Sequence, residues 1–554
     1  MKRVICLSAL LLSLCATLCA ANNAKPLVNQ PLVPASAAPG AAGFTLNVSG
    51  TGFVTGAVVK WNGNARTTTF ISSSSLQATI LSTDVAHAGT ASITVVNPLP
   101  RGGASNVVYF PVRQSATSVA FAPEPGVSPL AGPIAVGDFT GTNKADLVVG
   151  QTSADGTTGS ILYYKSLGNG TFAAPITSAS SLPVQGLFVG DFNGDGKLDV
   201  MIGTKNGGFG PAEGIAFLGN GAGVFTEKTG FGTGDFGGPL AIADLNGDGI
   251  LDVVFGSEVG GTGTVYFYLG NGDGTFTLKS QQGIFLAPGY AAIGDFNGDG
   301  KLDVAVPDGS QVDVFLGNGD GTFQTYVPYA ENCAQMAVAA DLNGDGKLDL
   351  AIGSLCVLLG NGDGTFTLSA NGGGSGGIAV GDFNGDGKLD VATIQGGVYL
   401  GNGDGTFQTP TPPAFATNNS ANLPFGDFNR DGELDLAIWG SSGIQIGLQT
   451  SLRVTPLSLT FAPRKVGTTS AKQPVTLTNI GSHSIPISSV AITGADPGDF
   501  SQQNSCGTGL GAGKSCTVNV VFKPTATGAR SASVTITYSG VDNPQTVALS
   551  GTGT

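Results

Sequence analysis

Nine residues recur through the middle of the chain. DFNGDGKLD begins at Asp191, Asp295 and Asp382, and near copies begin at Asp244 (DLNGDGILD), Asp341 (DLNGDGKLD) and Asp427 (DFNRDGELD). A decayed copy, DFTGTNKAD, begins at Asp138. The seven starts lie 41 to 53 residues apart. A second string, LGNGDGTF, falls between them at Leu269, Leu316, Leu359 and Leu400, with shorter forms at Leu167 (LGNGTF) and Leu218 (LGNGAGVF). A period of this length means one supersecondary unit used repeatedly. Each unit reads as four short strands. One precedes the acidic string, one follows it, a third ends at the GNG turn and a fourth starts at the Thr-Phe after it. Asn-Gly and Asp-Gly favour hairpins because both residues tolerate positive φ. Four strands per unit is the blade of a β-propeller, and seven units would close a ring. The phase supports closure. Residues 118–123 (SVAFAP) look like the strand that follows a GNG turn, whereas the last unit stops at Leu448 before any such turn. The N-terminal segment can therefore supply the strand missing from the last blade. An open solenoid, the alternative, would not need this offset.

The pattern D-x-N-x-D-G-x-x-D places side-chain oxygens at positions 1, 3, 5 and 9, and the backbone carbonyl of position 7 can join them. Glycine at position 6 permits the sharp turn. This is the alternating-ligand logic of a Ca²⁺ loop. It differs from an EF-hand in closing at position 9 with Asp and in lying between strands. An all-oxygen, anionic shell suits Ca²⁺ better than a transition metal. The expected ligands are Asp191, Asn193, Asp195, Lys197 and Asp199 in the first intact copy. The next two contribute Asp244, Asn246, Asp248, Ile250 and Asp252, then Asp295, Asn297, Asp299, Lys301 and Asp303. The last three contribute Asp341, Asn343, Asp345, Lys347 and Asp349; Asp382, Asn384, Asp386, Lys388 and Asp390; and Asp427, Asn429, Asp431, Glu433 and Asp435. About six structural Ca²⁺ sites are expected. The decayed loop, with Thr140 and Thr142 at positions 3 and 5, is expected to bind weakly or not at all. The GNGDG strings are read as hairpin turns, since Asp and Asn favour turns without any metal. Three aspartates in each of six copies take nearly half of the 38 acidic residues, so the net charge of −14 is largely a metal-binding inventory.

These strings resemble the FG-GAP and VCBS repeat family, which includes the propeller of integrin α subunits, over residues 118–450. The resemblance implies Ca²⁺ in the loops and partner binding on the opposite face.

Both flanks read as strand-rich. In residues 26–114, the segments SGTGF (49–53), GAVVKWNG (56–63) and VVNPLPRGGASN (95–106) resemble IPT/TIG immunoglobulin-like domains. Trp61 is expected in that core and His87 in a surface turn. Residues 452–554 carry VTPLSLTFAPRKVGTTSAKQPVTLTNIG and CGTGLGAGKSCTVNVVFKP, which resemble Hydin-type, or choice-of-anchor D, modules. The fold class expected is all-β: a seven-bladed propeller flanked by two immunoglobulin-like sandwiches. His483 is expected in a turn, and Trp439 in the propeller core. Residues 1–21 read as a secretory signal, with Lys2 and Arg3 before a short apolar core and small residues at the cleavage site. Four cysteines follow it: Cys333, Cys356, Cys506 and Cys516. An even count in an exported chain suggests disulfides, and Cys333–Cys356 with Cys506–Cys516 is the simplest of three pairings.

A nucleic-acid partner is disfavoured by the acidic balance. No later apolar run is long enough to span a bilayer. There is no Gly-x-Ser-x-Gly, no His-Glu-x-x-His and only two histidines, so no catalytic constellation is visible. Glu213 and Glu258 stand alone as loop charges. The sequence therefore points to a secreted or cell-surface bacterial protein, with the periplasm as an alternative. A monomer is expected, binding an extracellular protein or glycan; a lectin or a polysaccharide-degrading propeller enzyme is the second reading. Material for a ligand pocket is expected in long inter-strand loops at 151–160, 203–214 and 257–263.

Overall fold

The computed structural model describes residues 22–86, 89–113, 119, 121–123, 132–204, 213–232, 236–309, 311–329, 336–353, 355–370, 376–394, 397–408, 410, 423–429, 433–440, 443–449, 452–456, 458–479, 484–511, 513–538 and 544–554. The signal region, His87, Cys333 and His483, and the side chain of Trp439, lie outside these residues. The described chain is all-β apart from one short 3₁₀ turn, Pro497–Asp499.

Seven sheets form the middle of the molecule. The first orders Ile134–Gly137, Asp146–Thr152, Gly159–Tyr164 and Ile176–Ser180 as an antiparallel meander. The second to fifth repeat this order from Gly186–Gly190, Phe236–Ala243, Ala292–Gly294 and Ala337–Ala340, and the sixth has three strands among the described residues, Ile378–Gly381, Asp390–Thr393 and Val398–Tyr399. The seventh holds Phe425–Gly426, Asp435–Gly440 and Gly443–Gln449, and its outer strand is Phe121–Pro123, from the other end of the repeat region. Phe121 pairs with Gln449, and Pro123 with Gly447.

Every neighbouring pair of sheets shares a core. Val148, Ile161 and Tyr163 of the first pack with Val200, Ile202 and Phe217 of the second. The series continues round to the seventh, whose Phe428, Ala437 and Ile444 pack with Ile134, Leu147 and Val149 of the first. The sheets therefore close a propeller-like ring. Burying each such side chain stabilises by about 1.5–3 kcal/mol.

The LGNGDG string is explained by this packing. Gly321, its last glycine in the fourth sheet, has φ +79°, and a Cβ there would lie 2.6 Å from Leu269 Cδ2 of the third sheet. The leucine that opens one hairpin thus fills the space left by the glycine that ends the next. At Gly170 the neighbour is Leu448 Cδ1, also at 2.6 Å, so the same interlock seals the ring.

One expected loop is not a loop. Around 257–263 the strands Asp252–Val259 and Thr262–Gly270 run on, leaving only Gly260 and Gly261 to turn. Both have positive φ, so two glycines suffice where seven residues were read as irregular.

Residues 27–112 form a two-sheet sandwich whose core includes Leu46, Val59, Trp61, Ile93 and Phe110. Trp61 and Phe110 have ring centroids 5.1 Å apart. The C-terminal sandwich packs Leu452–Thr455, Gln473–Asn479, Ser515–Phe522 and Phe500–Asn504 against a second sheet centred on Gln545–Gly553 and Gly528–Tyr538. Cys506 and Cys516 form a disulfide there, with S–S 2.08 Å. Cys356 is also disulfide-bonded.

Candidate metal centre

Each acidic loop joins the first and second strands of its sheet. In the fourth sheet, Asp295 at position 1 turns inward and accepts N–H bonds along the loop. Gly298 and Asp299 donate to Oδ1 at 2.7 and 3.1 Å, and Gly300 donates to Oδ2 at 2.8 Å. Asn297 Oδ1 accepts from Asp299 N–H at 2.9 Å, and Asp299 Oδ1 from Lys301 N–H at 2.9 Å. The second, fifth and sixth sheets repeat this cage around Asp191, Asp341 and Asp382. Asn297 Oδ1 and Asp299 Oδ1 each accept one such bond, so each keeps a lone pair.

Position 9 has a second task that the spacing does not reveal. Asp303 is fully buried and bridges two elements. Its Oδ2 accepts from Phe296 N–H at 2.9 Å, and its Oδ1 from Gly317 N–H at 2.8 Å. Gly317 is the first glycine of the LGNGDG hairpin, and a Cβ on it would lie 2.1 Å from the Leu302 carbonyl oxygen. Asp199, Asp252, Asp349 and Asp390 make the same strap between loop and hairpin, and Asp435, whose sheet has no such hairpin, bonds Phe428 N–H and Gln449 N–H at the end of its third strand.

These carboxyls are crowded. Burial, then the charges of neighbouring aspartates, push Asp199, Asp303 and Asp349 up to about 6 and Asp252 and Asp390 up to about 8, against the N–H bonds they accept.

Position 7 supplies a counter-charge. Lys197 Nζ lies 3.2 Å from Asp195 Oδ2, Lys301 Nζ 3.2 Å from Asp299 Oδ2, and Lys347 Nζ 4.0 Å from Asp345 Oδ2. Their aliphatic stems lie over the middle glycine of the hairpin: a Cβ on Gly319 would sit 3.0 Å from Lys301 Cδ. In the third sheet Ile250 takes that place over Gly272.

The decayed loop has replaced its oxygens with a hydroxyl network. Tyr163 donates to Asp146 Oδ2 at 2.9 Å, and Thr140 Oγ1 lies 3.4 Å from the same oxygen. Asp138 still cages the backbone, accepting from Thr142 and Asn143 N–H.

Among the described residues, no three or more His, Cys, Asp or Glu side chains are gathered as a metal-holding group. The donor set still fits a hard cation: one amide and three carboxylates per loop, with no nitrogen or sulfur. Arg430, Asp431 and Gly432 lie outside the described residues. Glu213 sits at the start of the strand Glu213–Gly219 and Glu258 near the end of Asp252–Val259, so both lie at the ends of inner strands and not in loops.

The loop face is also a domain interface. Lys25 N–H donates to Asp244 Oδ2 at 2.7 Å, and its ammonium donates to the Asp191 carbonyl at 3.2 Å. Asp341 N–H donates to the Gln30 carbonyl at 2.9 Å. Arg113 donates to the Phe383 carbonyl and to Gln449 Oε1, both at 3.0 Å. None of these contacts was readable from the sequence, because their partners lie 166 to 336 residues away and follow no motif.

An FG-GAP-like repeat family matches residues 138–202, 244–306, 295–352, 353–393 and 395–438. A HYDIN/CFA65/VesB-like, Ig-like domain family matches residues 451–552. No curated protein matches the chain. Among solved structures, the chain is similar to an Agrocybe aegerita lectin described as recognising non-reducing terminal N-acetylglucosamine. That match has 20% identity and a TM-score of 0.38, covering 63% of this chain and 94% of that one. It is similar to an auxiliary nutrient binding protein from Bacteroides ovatus, at 10% identity and a TM-score of 0.31, covering 77% and 98%. A third is BamB from Moraxella catarrhalis, at 14% identity and a TM-score of 0.31, covering 61% and 94%. This chain thus carries FG-GAP-like repeats through its propeller and a HYDIN/CFA65/VesB-like Ig-like domain at residues 451–552.

Proposed function

We propose that this chain is an exported, non-catalytic binding protein whose ring is stiffened by about six structural Ca²⁺ ions. The observation that carries the reading is the recurrence of one oxygen-only cage, in the same register, at Asp191, Asp295, Asp341 and Asp382, with a close variant at Asp244. Positions 1, 3 and 5 and the carbonyl of position 7 would hold the ion. It would supply positive charge beside the loop's carboxylates, and would close each loop at low entropy cost. The straps at position 9 would hold the loop against its hairpin with or without the ion.

The N-terminal sandwich, read as an IPT/TIG-like module, occupies part of the acidic-loop face. The ligand face is then the opposite one, as in integrin-like propellers, where the hairpin 153–158 emerges. The ligand is an extracellular protein or glycan, met at or outside the bacterial surface. No helix among the described residues is long and apolar enough to cross a membrane.

The test is calorimetric melting with Ca²⁺ and with chelator, followed by glycan and matrix-protein arrays. Ca²⁺ is expected to raise the melting temperature of the ring; an unchanged melt sinks the calcium reading. Turnover of a polysaccharide sinks the non-catalytic one.

A further inference from the structure

The seven loops look interchangeable, yet the N-terminal domain docks on them in one orientation. The chain passes from Arg113 to Phe121 of the seventh sheet within eight residues, which tethers the domain beside that sheet; within that tether something must still distinguish one loop from another. Position 7 does. It is Lys144, Lys197, Lys301, Lys347 and Lys388 in the first, second, fourth, fifth and sixth loops, but Ile250 in the third and Glu433 in the seventh. Summed over their nine positions, the second, fourth, fifth and sixth loops carry a formal −2; the third and seventh, with Arg430 counted, carry −3.

Those two loops receive an arginine from the N-terminal domain. In the third, Arg101 Nη1 lies 3.9 Å from Asp248 Oδ2, the position-5 carboxylate that a loop lysine faces elsewhere. It also lies 3.9 Å from where a Cβ on Gly272 would sit, over the same hairpin glycine that Lys197 and Lys301 cover in their sheets. In the seventh, Arg113 Nη2 lies 3.4 Å from Glu433 Oε1, and both side chains are buried. The Arg113 stem crosses Gly385 of the sixth loop, whose φ of +74° and missing Cβ make room for it. Lys25 adds a third cation between the second and third loops, 3.8 Å from Asp191 Oδ2. The lysine-bearing fourth and fifth loops receive no cationic side chain from this domain among the described residues.

We propose that Arg101 and Arg113 replace the lysine missing from position 7 of the third and seventh loops, and that this charge match sets the rotational register at which the N-terminal domain docks on the ring. The buried Arg113 would meet an unscreened like charge if it faced a lysine, so registers that set a position-7 lysine against it are penalised as well as this one being favoured.

The test is hydrogen exchange on the full chain, read over residues 22–33, which include the Lys25 amide bonded to Asp244. Arg113→Met and Glu433→Lys are each expected to speed exchange there about tenfold or more, as loss of a buried ion pair opens the interface. The double variant Arg113→Glu with Glu433→Lys is expected to restore protection. Because a buried change can disturb folding, the exposed pair gives an independent readout: Arg101→Ala speeds exchange, and adding Ile250→Lys does not repair it, since the lysine completes the loop but not the interface. Lys301→Ala leaves the segment protected. Unchanged exchange in both Arg113→Met and Arg101→Ala overturns the proposal. So does a double charge swap that stays as open as its single variants while the C-terminal sandwich remains protected.

Discussion

Gly317 and Asp303 are joined by a hydrogen bond of 2.8 Å that ties the hairpin of the fourth sheet to its acidic loop. The bond is not part of a strand ladder. It is a carboxylate holding two turns at the same end of the sheet, and its loss strands two buried N–H groups. Asp303→Ala is therefore expected to destabilise the ring by about 2–5 kcal/mol even without Ca²⁺. Asp303→Asn, which keeps one acceptor, falls between that and the natural chain. Chemical denaturation in chelator checks the order; Asp299→Ala, at a one-third exposed position, costs far less in the same buffer.

In the decayed loop, Tyr163 does for Asp146 part of what a cation would do elsewhere. Tyr163→Phe removes one hydrogen bond to a buried carboxylate and is expected to cost about 1–3 kcal/mol. The shift in melting temperature on adding Ca²⁺ should be the same in this variant as in the natural chain. A larger shift would mean that the first loop also takes metal.

Asp313 lies away from the loops, in the strand Val312–Phe315, where the first, second, third and fifth sheets carry Leu162, Ile215, Tyr266 and Cys356. It is fully buried; Gln311 donates to its Oδ1 at 2.8 Å and its Oδ2 has no partner. Burial, then the nearby charge of Asp308, push its carboxyl up to about 7. The unfolded chain releases this proton near pH 4 and the folded chain holds it to about 7, so over that window the folded state binds more protons. Stability is expected to fall as pH rises from about 4 to about 7 and then level off, a loss of a few kcal/mol at most. Asp313→Asn should flatten that part of the profile and raise stability at pH 8; denaturant midpoints across pH measure both.

Two glycines with nearly equal backbone angles should respond differently to alanine. Gly321 and Gly247 have φ of +79° and +74°. A Cβ on Gly321 meets Leu269 at 2.6 Å, whereas one on Gly247 meets nothing within 4 Å. Gly247→Ala is expected to cost about 1 kcal/mol for the left-handed backbone alone. Gly321→Ala adds a clash between two sheets and should cost about 1–3 kcal/mol more. Equal melting temperatures would show that Leu269 moves aside without penalty.

The repeats made the ring legible because each blade is local: strand, acidic turn, strand, hairpin and strand follow within one period. The missing outer strand was also legible, since Phe121 sits in a segment shaped like the one that follows a GNG turn. What the sequence hid was long-range or depended on an atom already given a role. Asp303 read as a metal ligand, and nothing in the spacing said that it also straps Phe296 to Gly317. Gly260 and Gly261 were read inside a long loop because glycine-rich polar stretches look irregular until their strands are paired. Arg113 and Lys25 carried no motif, and Arg101 was read only within an immunoglobulin-like segment; their partners appear only when the N-terminal sandwich is set against the loops. The substitutions at Ile250 and Glu433 were visible as departures from a repeat, and were the one signal that could have pointed there.

The pairing of Phe121–Pro123 with Gly443–Gln449 has a consequence in time. Six of the seven sheets can form from contiguous chain soon after they are made, each on its own hairpins. The seventh must wait until more than 300 residues separating its outer strand from its third have been synthesised, and only then can Gly170 receive Leu448. Contacts at such separation carry the slowest step of folding. Until that seam shuts, the first and seventh sheets each expose an apolar face that later lies inside. A chain exported across a membrane before closure would arrive as a string of finished blades and complete its circle at its destination.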